Sequence, residues 1–165
     1  MDNEHIQEHG LVQGEKKELV SKCGPVGRAV IRNLIKEAIN SMNKAYAPYS
    51  GFKVGAALLT AGQKIYTGCN IENAAYSPSN CAERTAFFKA VSEGERDFMA
   101  IAIVGGDNGN IKDYCPPCGV CRQVMREFVN PGRFLVILAR SEDDCLVFFL
   151  EELLPMGFGP EHLNN

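Results

Sequence analysis

The chain has 165 residues, of which 45% are hydrophobic and 22% charged, with a formal net charge of −3 at pH 7. This composition is typical of one globular domain and excludes a fibrous or wholly disordered chain. The weakly acidic balance argues against a nucleic-acid-binding protein, and the apolar runs are too short to cross a bilayer. Residues 1–24 are polar and do not resemble a signal peptide, which predicts a cytoplasmic protein. We expect these residues to be a loosely held extension ahead of a domain over residues 25–165.

Helical and strand patterns alternate through the first half of this domain. Apolar residues recur at helical spacing from Gly27 to about Met42, which predicts an amphipathic helix. Phe52–Leu59 and Lys64–Cys69 predict two strands joined in a hairpin. Residues 70–80 are rich in Asn, Ser and Pro and predict a loop.

The second half continues the same alternation. Helices are predicted over residues 81–91, 119–128 and 151–154, strands over 99–104, 134–139 and 145–149, and a polar loop over 105–117. Helices interleaved with largely apolar strands predict an α/β three-layer sandwich.

Cysteines carry the clearest chemical signal. Seven in a chain of this size, without a secretory signal, favour metal binding or catalysis over disulfides. Cys81 precedes Glu83 by two residues, and Cys118 and Cys121 have C-x-x-C spacing. Both clusters fall where a loop runs into a predicted helix, whose free N–H groups favour thiolates. Three thiolates can hold one zinc ion and leave its fourth position open. An unliganded carboxylate beside that position predicts a site that activates water.

Some alternatives remain open at this level. Cys115 precedes Cys118 at the same spacing, so Cys81, Cys115, Cys118 and Cys121 could form a closed structural zinc site. Two features oppose closure: Pro116–Pro117 stiffens the approach of Cys115 to the same ion, and Glu83 would have no role in a closed site. Arg84 either donates to the ligand sulfurs and offsets their charge or is a solvated helix residue. The other cysteines fit small buried hydrophobic positions: Cys23, Cys69 and Cys145.

Cys81–Arg84 followed by Pro117–Gln123 resembles the zinc-binding motif of the small homotetrameric cytidine deaminases. Three further segments are similar to the same family: Tyr46–Ala57, Gly68–Ala74 and Leu153–Pro160. The likeness covers roughly residues 27–163, and Pro116 departs from the small hydroxyl residue expected before Pro-Cys. The resemblance implies a three-layer α/β/α sandwich built on a mixed five-stranded sheet.

The resemblance also implies one zinc ion per subunit, bound by Cys81, Cys118 and Cys121. Glu83 would be the catalytic proton shuttle, with Arg84 balancing the charge of the ligands. The reaction implied is hydrolytic deamination of cytidine and 2′-deoxycytidine to the uridines with release of ammonia, in pyrimidine salvage. Glu83 would take a proton from a zinc-activated water, deliver it to ring N3 and then carry a proton to the departing amine.

Substrate contacts are implied in the same way. Asn70 and Glu72 would bind the ribose hydroxyls, Phe52 would pack against the nucleoside, and backbone groups at Ala82 would read the exocyclic amine. Phe158 would close the active site of a neighbouring subunit, which implies a homotetramer with shared sites. From the residues alone, plain strand-end polarity is the preferred role for Asn70 and Glu72. Phe52 could equally be a core residue, and Phe158 could be a hydrophobic residue of the tail.

Three rival functions share some of these sequence features. A nucleotide or polynucleotide deaminase usually carries His at the position of Cys81 and needs cations for phosphate, which Glu72 would repel. A blasticidin-type deaminase shares the zinc chemistry on a modified cytosine nucleoside. A non-catalytic binding module with a closed four-cysteine zinc site is the alternative from a different class of protein.

Overall fold

The computed structural model describes residues 26–163 of the chain, so the predicted extension over residues 1–24 lies outside the described part. The elements are α1 (Arg28–Met42), β1 (Phe52–Thr60), β2 (Ile65–Cys69), α2 (Ala82–Ser92), β3 (Phe98–Asp107), α3 (Gly119–Phe128), β4 (Leu135–Ser141), β5 (Asp144–Phe149) and α4 (Leu150–Leu153). A short 3-10 turn, Pro160–His162, follows α4. The order of helices and strands agrees with the one that the sequence patterns predict.

Within the described residues the strands form a five-stranded sheet in the order β2-β1-β3-β4-β5. β1 pairs antiparallel with β2 and with β3, and β4 pairs antiparallel with β5. β3 and β4 are parallel and are joined through α3, because parallel neighbours need a crossover connection. The mixed five-stranded sheet is therefore confirmed.

The sheet is covered on both faces. Successive side chains of a strand point to opposite faces, so Ala56 and Leu58 pack in the core under α2 and α3 while Ala57 and Leu59 pack under α1. α1 contributes its periodic apolar positions to the second core: Ile31, Leu34, Ile35, Ala38 and Met42. Two cores on either side of one sheet confirm the three-layer α/β/α sandwich.

Glycines let the two helical layers approach the sheet closely. A Cβ atom on Gly68 would lie 2.3 Å from the carbonyl oxygen of Ala82, at the start of α2. A Cβ atom on Gly55 would lie 2.0 Å from the carbonyl oxygen of Ala38 in α1. The first turn of α2, and with it Cys81, is therefore held directly against β2.

The predicted end of β3 was wrong. Residues 105–107 were predicted as loop, yet Gly105 and Gly106 continue the strand opposite Val54 and Lys53. A Cβ atom on Gly106 would lie 2.1 Å from the carbonyl oxygen of Asn110, so glycine allows the following loop to fold back over the strand. Across residues 26–163, no helix has both the length and the apolar character needed to cross a membrane.

Candidate active site

Three cysteine sulfurs meet where α2 and α3 begin side by side. Cys81 is the N-cap residue of α2, Cys118 is the N-cap residue of α3, and Cys121 lies in the first turn of α3. The Sγ atom of Cys118 lies 3.9 Å from that of Cys81 and 3.5 Å from that of Cys121. All three sulfurs lie within 4.8 Å of one another, and we call them the cysteine cluster. The structure thus brings together residues from two distant predicted motifs.

The cysteine cluster fits a zinc ion. Tetrahedral Zn–S bonds of about 2.3 Å place sulfur atoms roughly 3.8 Å apart, close to the separations found here. Cys121 is buried whereas Cys118 is exposed, so the cluster opens toward solvent on one side. Cys81, Cys118 and Cys121 would therefore hold zinc as three thiolate ligands and leave one position for water.

Arg84 turns its guanidinium toward this cluster. One terminal nitrogen lies 3.7 Å from the Sγ atom of Cys81 and donates to the carbonyl oxygen of Ser79 at 3.1 Å. Its Nε atom is buried and has no hydrogen-bond partner among the described residues. The Cys121 thiol, together with Arg84, lowers the pKa of Cys81, which favours the thiolate. The charge-balancing role of Arg84 stays a prediction, and the contact with the Cys81 sulfur is the geometry on which it depends.

Glu83 lies in the first turn of α2 and is only 4% exposed. Burial raises the pKa of its carboxyl group to about 7, and the negative charge of a Cys81 thiolate adds to that rise. A carboxyl group with a pKa near neutrality can both accept and release a proton at physiological pH. The site therefore pairs a metal-ligating cluster with a suitable acid–base residue.

Cys115 does not belong to the cysteine cluster within the described residues. Its sulfur lies against the end of β3 instead, 2.8 Å from the position of a Cβ atom on Gly105, and Phe52 lines the same spot at 3.1 Å. Burial raises the pKa of the Cys115 thiol to about 11, so this thiol stays neutral. The closed four-cysteine site has no support from this arrangement.

Asn70 follows β2 and clamps the start of β1. Its Oδ1 atom accepts from the backbone N–H of Val54 at 2.8 Å, and its Nδ2 atom donates to the carbonyl oxygen of Phe52 at 2.8 Å. Phe52 itself is 38% exposed. Asn70 therefore sets the position of Phe52, and this contact was not foreseen from the sequence.

Glu72 lines a cavity of about 260 Å³ together with Tyr49, Ser50, Tyr76 and Ser79. Its carboxylate accepts from the backbone N–H groups of Tyr49 and Ser50, at 2.8 and 3.3 Å, and from the Ser50 hydroxyl at 2.5 Å. The Ser50 hydroxyl lowers the pKa of Glu72, so the carboxylate is charged at neutral pH. Sequence reasoning missed Ser50 and Tyr76, although both stand inside or beside segments that carried the family resemblance.

The remaining predicted residues are found at separate places. Ala82 is fully buried as the first residue of α2, where backbone N–H groups have no partner within the helix. Phe158 is exposed, and its carbonyl oxygen accepts from the Nε2 atom of Gln123 at 2.9 Å. Gln123 stands two residues after Cys121 on α3, so Phe158 is tied to the helix that begins at the cysteine cluster.

Arg122 is a further residue that the sequence analysis missed. Its Nε atom donates to the carbonyl oxygen of Pro117 at 2.8 Å, and a terminal nitrogen donates to that of Leu153 at 2.7 Å. These bonds tie the loop before Cys118 to the end of α4. The available signal was a cation directly following Cys121 in the sequence.

Comparisons with known proteins agree with this geometry. Residues 29–137 match the family model described as the cytidine and deoxycytidylate deaminase zinc-binding region. The chain is 49% identical over 134 residues to a cytidine deaminase of Sporosarcina psychrophila, covering 81% of this chain and 95% of the relative. It is 42% identical to a probable cytidine deaminase of Dictyostelium discoideum, covering 81% and 86%.

Solved structures give the same result for the fold. A crystal structure of cytidine deaminase from Burkholderia pseudomallei is 48% identical, with a TM-score of 0.70 and coverage of 76% of this chain and 97% of that one. Cytidine deaminase from Mycobacterium tuberculosis is 35% identical, with a TM-score of 0.65 and coverage of 77% and 95%. The match therefore spans nearly the whole of these structures.

Proposed function

This chain belongs to the zinc-binding family of cytidine and deoxycytidylate deaminases, and we propose that its site hydrolyses free cytidine and 2′-deoxycytidine to uridine and 2′-deoxyuridine with release of ammonia. The observation that carries this proposal is the cysteine cluster with the buried Glu83 on the same helix turn. Such a reaction serves pyrimidine salvage, and a cytoplasmic location suits it.

Glu83 is the proposed proton carrier of the reaction. When bound at Cys81, Cys118 and Cys121, zinc supplies a water whose pKa is lowered toward neutrality. Glu83 accepts a proton from the attacking water and delivers it to ring N3, which makes C4 electrophilic. The water oxygen bonds to C4, and Glu83 then takes the remaining proton of that hydroxyl group and delivers it to the amine. The C4–N bond breaks to leave the carbonyl group of uridine and ammonia.

The sugar is the part of the substrate that Glu72 and Asn70 would recognise. The charged carboxylate of Glu72 faces a cavity of about 260 Å³, where it can accept a hydrogen bond from a ribose hydroxyl. The same charge would repel a 5′-phosphate, which supports a free nucleoside over a nucleotide. Phe52 packs against the nucleoside, and the backbone of Ala82 reads the exocyclic amine.

A homotetramer with shared active sites completes the proposal. Tyr46, Tyr49 and Tyr76 are large, exposed aromatic side chains, and Tyr49 and Tyr76 line the cavity beside Glu72. Aromatic side chains of this kind are enriched at protein interfaces. Neighbouring copies would cover them, and Phe158 from one copy would close the nucleoside site of another.

Turnover of zinc-loaded protein, followed by ultraviolet absorbance, tests the proposed function. We expect rapid loss of cytidine, with deoxycytidine monophosphate and a cytosine oligonucleotide unchanged. Reaction of a comparator while cytidine stays inert would keep the zinc chemistry but contradict the roles of Asn70 and Glu72. A zinc-loaded protein inert toward all three would overturn the proposal.

A further inference from the structure

The segment over residues 157–163, which we call the closing segment, lies against the exposed side of α3. The Nε2 atom of Gln123 donates to the carbonyl oxygen of Phe158 at 2.9 Å. Three residues further along, Arg126 forms a hydrogen-bonded ion pair with Glu161. Residues three apart on a helix share a face, so one face of α3 holds the closing segment at two points.

Arg126 is more than a surface cation. Its side chain is 13% exposed, against 52% for its partner Glu161. A Cβ atom on Gly159 would lie 2.5 Å from the Cζ atom of Arg126 and 2.6 Å from both terminal nitrogens. The guanidinium therefore lies directly on the backbone of the closing segment, an approach that only glycine leaves open.

The closing segment in turn holds the ring of Phe158 in one orientation. The rings of Phe158 and His162 stack with centroids 5.0 Å apart and an angle of 19° between their planes. His162 is itself fixed, because its Nδ1 atom accepts from the backbone N–H of Gly159 at 3.0 Å. Phe158 remains 55% exposed, so its ring is available to a neighbouring molecule.

From these contacts we propose that Gln123 and Arg126 are positioning residues, which fix Phe158 in the orientation needed to close the nucleoside site of a neighbouring copy. The inference rests on the proposed function, because it gives Phe158 a substrate-closing role. α3 begins at Cys118 and Cys121, so the same rigid helix carries metal ligands at one end and the lid anchor along its face. An aromatic lid held ready before substrate arrives loses less conformational entropy on binding than a mobile one.

Arg126→Gln tests this role, since it removes the charge and the guanidinium that lies against Gly159 while keeping a polar side chain. We expect KM for cytidine to rise about fivefold, because the lid must then be ordered on binding, with kcat changed less than about twofold. Zinc content and oligomeric mass should be unchanged. Arg126→Lys, which restores the charge, should recover part of the KM. Arg32→Gln is the control for the loss of a surface ion pair, since Arg32 is 49% exposed, pairs with Asp143 at 3.3 Å and should keep the wild-type KM when replaced.

A double-mutant cycle with Phe158→Ala separates positioning from general stability. If Arg126 acts through Phe158, then Arg126→Gln should change KM by less than about 1.5-fold in the Phe158→Ala background. A full fivefold effect in both backgrounds would overturn the proposal. Gln123→Ala and Gly159→Ala supply independent variants, and each is expected to raise KM in the same direction.

Further outcomes would also count against the inference. A wild-type KM in Arg126→Gln, while the wild-type protein deaminates cytidine, would overturn the positioning role and leave the proposed function intact. Dissociation of Arg126→Gln into smaller species would show that the residue acts through assembly, which also overturns it. A wild-type protein inert toward cytidine would remove the proposed function and this inference together.

Discussion

At the scale of single residues, the different environments of Glu83 and Glu72 give the two carboxylates different roles. Glu83 is buried beside thiols, and its pKa is raised to about 7. Glu72 lines an open cavity, and hydrogen bonds from Ser50 and Tyr49 keep its pKa low. Desolvation disfavours a charged carboxylate, whereas donated hydrogen bonds favour it. The first carboxylate suits proton transfer and the second suits recognition of a hydroxyl group.

Glu83→Gln should abolish turnover without loss of metal. The amide cannot carry a proton between water, ring N3 and the amine, so kcat should fall by roughly 10³-fold or more. The variant should fold and bind zinc, because the three thiols are untouched, and metal analysis beside kcat measurement checks both. Near-wild-type kcat in the metal-loaded variant would refute the proton-carrier role.

Cys118→Ala should instead lose the metal itself, and tightly bound zinc with full activity in that variant would argue against ligation by Cys118.

Glu72→Gln should weaken nucleoside binding. Loss of a hydrogen bond between a hydroxyl and a charged carboxylate is expected to raise KM for cytidine by roughly 10-fold or more. Removal of the charge should also reduce discrimination against deoxycytidine monophosphate. Comparison of KM and of relative rates on both substrates checks this, with Glu142→Gln as an exposed control carboxylate near Arg32. An unchanged KM would mean that Glu72 only holds the Tyr49–Ser50 turn.

At the scale of elements, the cysteine cluster depends on how α2 meets the sheet. A Cβ atom on Gly68 would lie 2.3 Å from the carbonyl oxygen of Ala82 and 2.5 Å from the backbone nitrogen of Ala86. Backbone atoms inside a helix cannot move aside independently. The position of Cys81, which caps α2, is therefore set in part by a glycine in the neighbouring strand.

Gly68→Ala should consequently disturb both stability and metal binding. Overpacking of this kind is expected to lower the free energy of unfolding by about 2 kcal/mol. Displacement of Cys81 should weaken zinc binding at the same time, which denaturant unfolding and a zinc competition titration would measure. Gly62→Ala is the matched control, because its Cβ atom would meet only the Thr60 hydroxyl at 3.7 Å. Equal stability of the two variants would contradict the close-packing argument.

At the scale of the whole molecule, one copy of the chain leaves large hydrophobic side chains exposed. Phe158, Tyr76 and Ile71 are each at least 46% exposed, and Met156 is fully exposed. Contiguous exposed apolar surface commonly marks a site of association. These exposed side chains support the proposed assembly of several copies.

Light scattering should therefore report a homotetramer at micromolar concentration. If Phe158 closes a neighbouring site, then dilution to dissociated species should lower the specific activity, because each site would lose its lid. Sedimentation and activity measured on the same dilution series would check the link between them. A monomeric mass with undiminished activity would refute shared sites.

Much of the fold could be predicted because the signals are local. Helical spacing in α1 and the C-x-x-C spacing in α3 both arise within a few residues of each other. The end of β3 could not be predicted, because Gly105 and Gly106 look like loop residues until they pair with β1. The hydrogen bonds of Asn70 and the contact of Arg126 with Gly159 also depend on partners far along the chain.

By itself, the sequence determined the element order, the ligand types and the class of chemistry, because spacing and side-chain chemistry are carried by neighbouring residues. The tertiary structure decided between the three-cysteine and the four-cysteine arrangement that the sequence left open. It brings Cys81 to within 3.9 Å of Cys118 across 37 positions and turns Cys115 away toward Phe52. It also buries Glu83 and ties the backbone of Phe158 to Gln123 on α3, the helix that carries Cys121. These outcomes follow from the packing of helices on a shared sheet, which depends on contacts between residues distant in the chain.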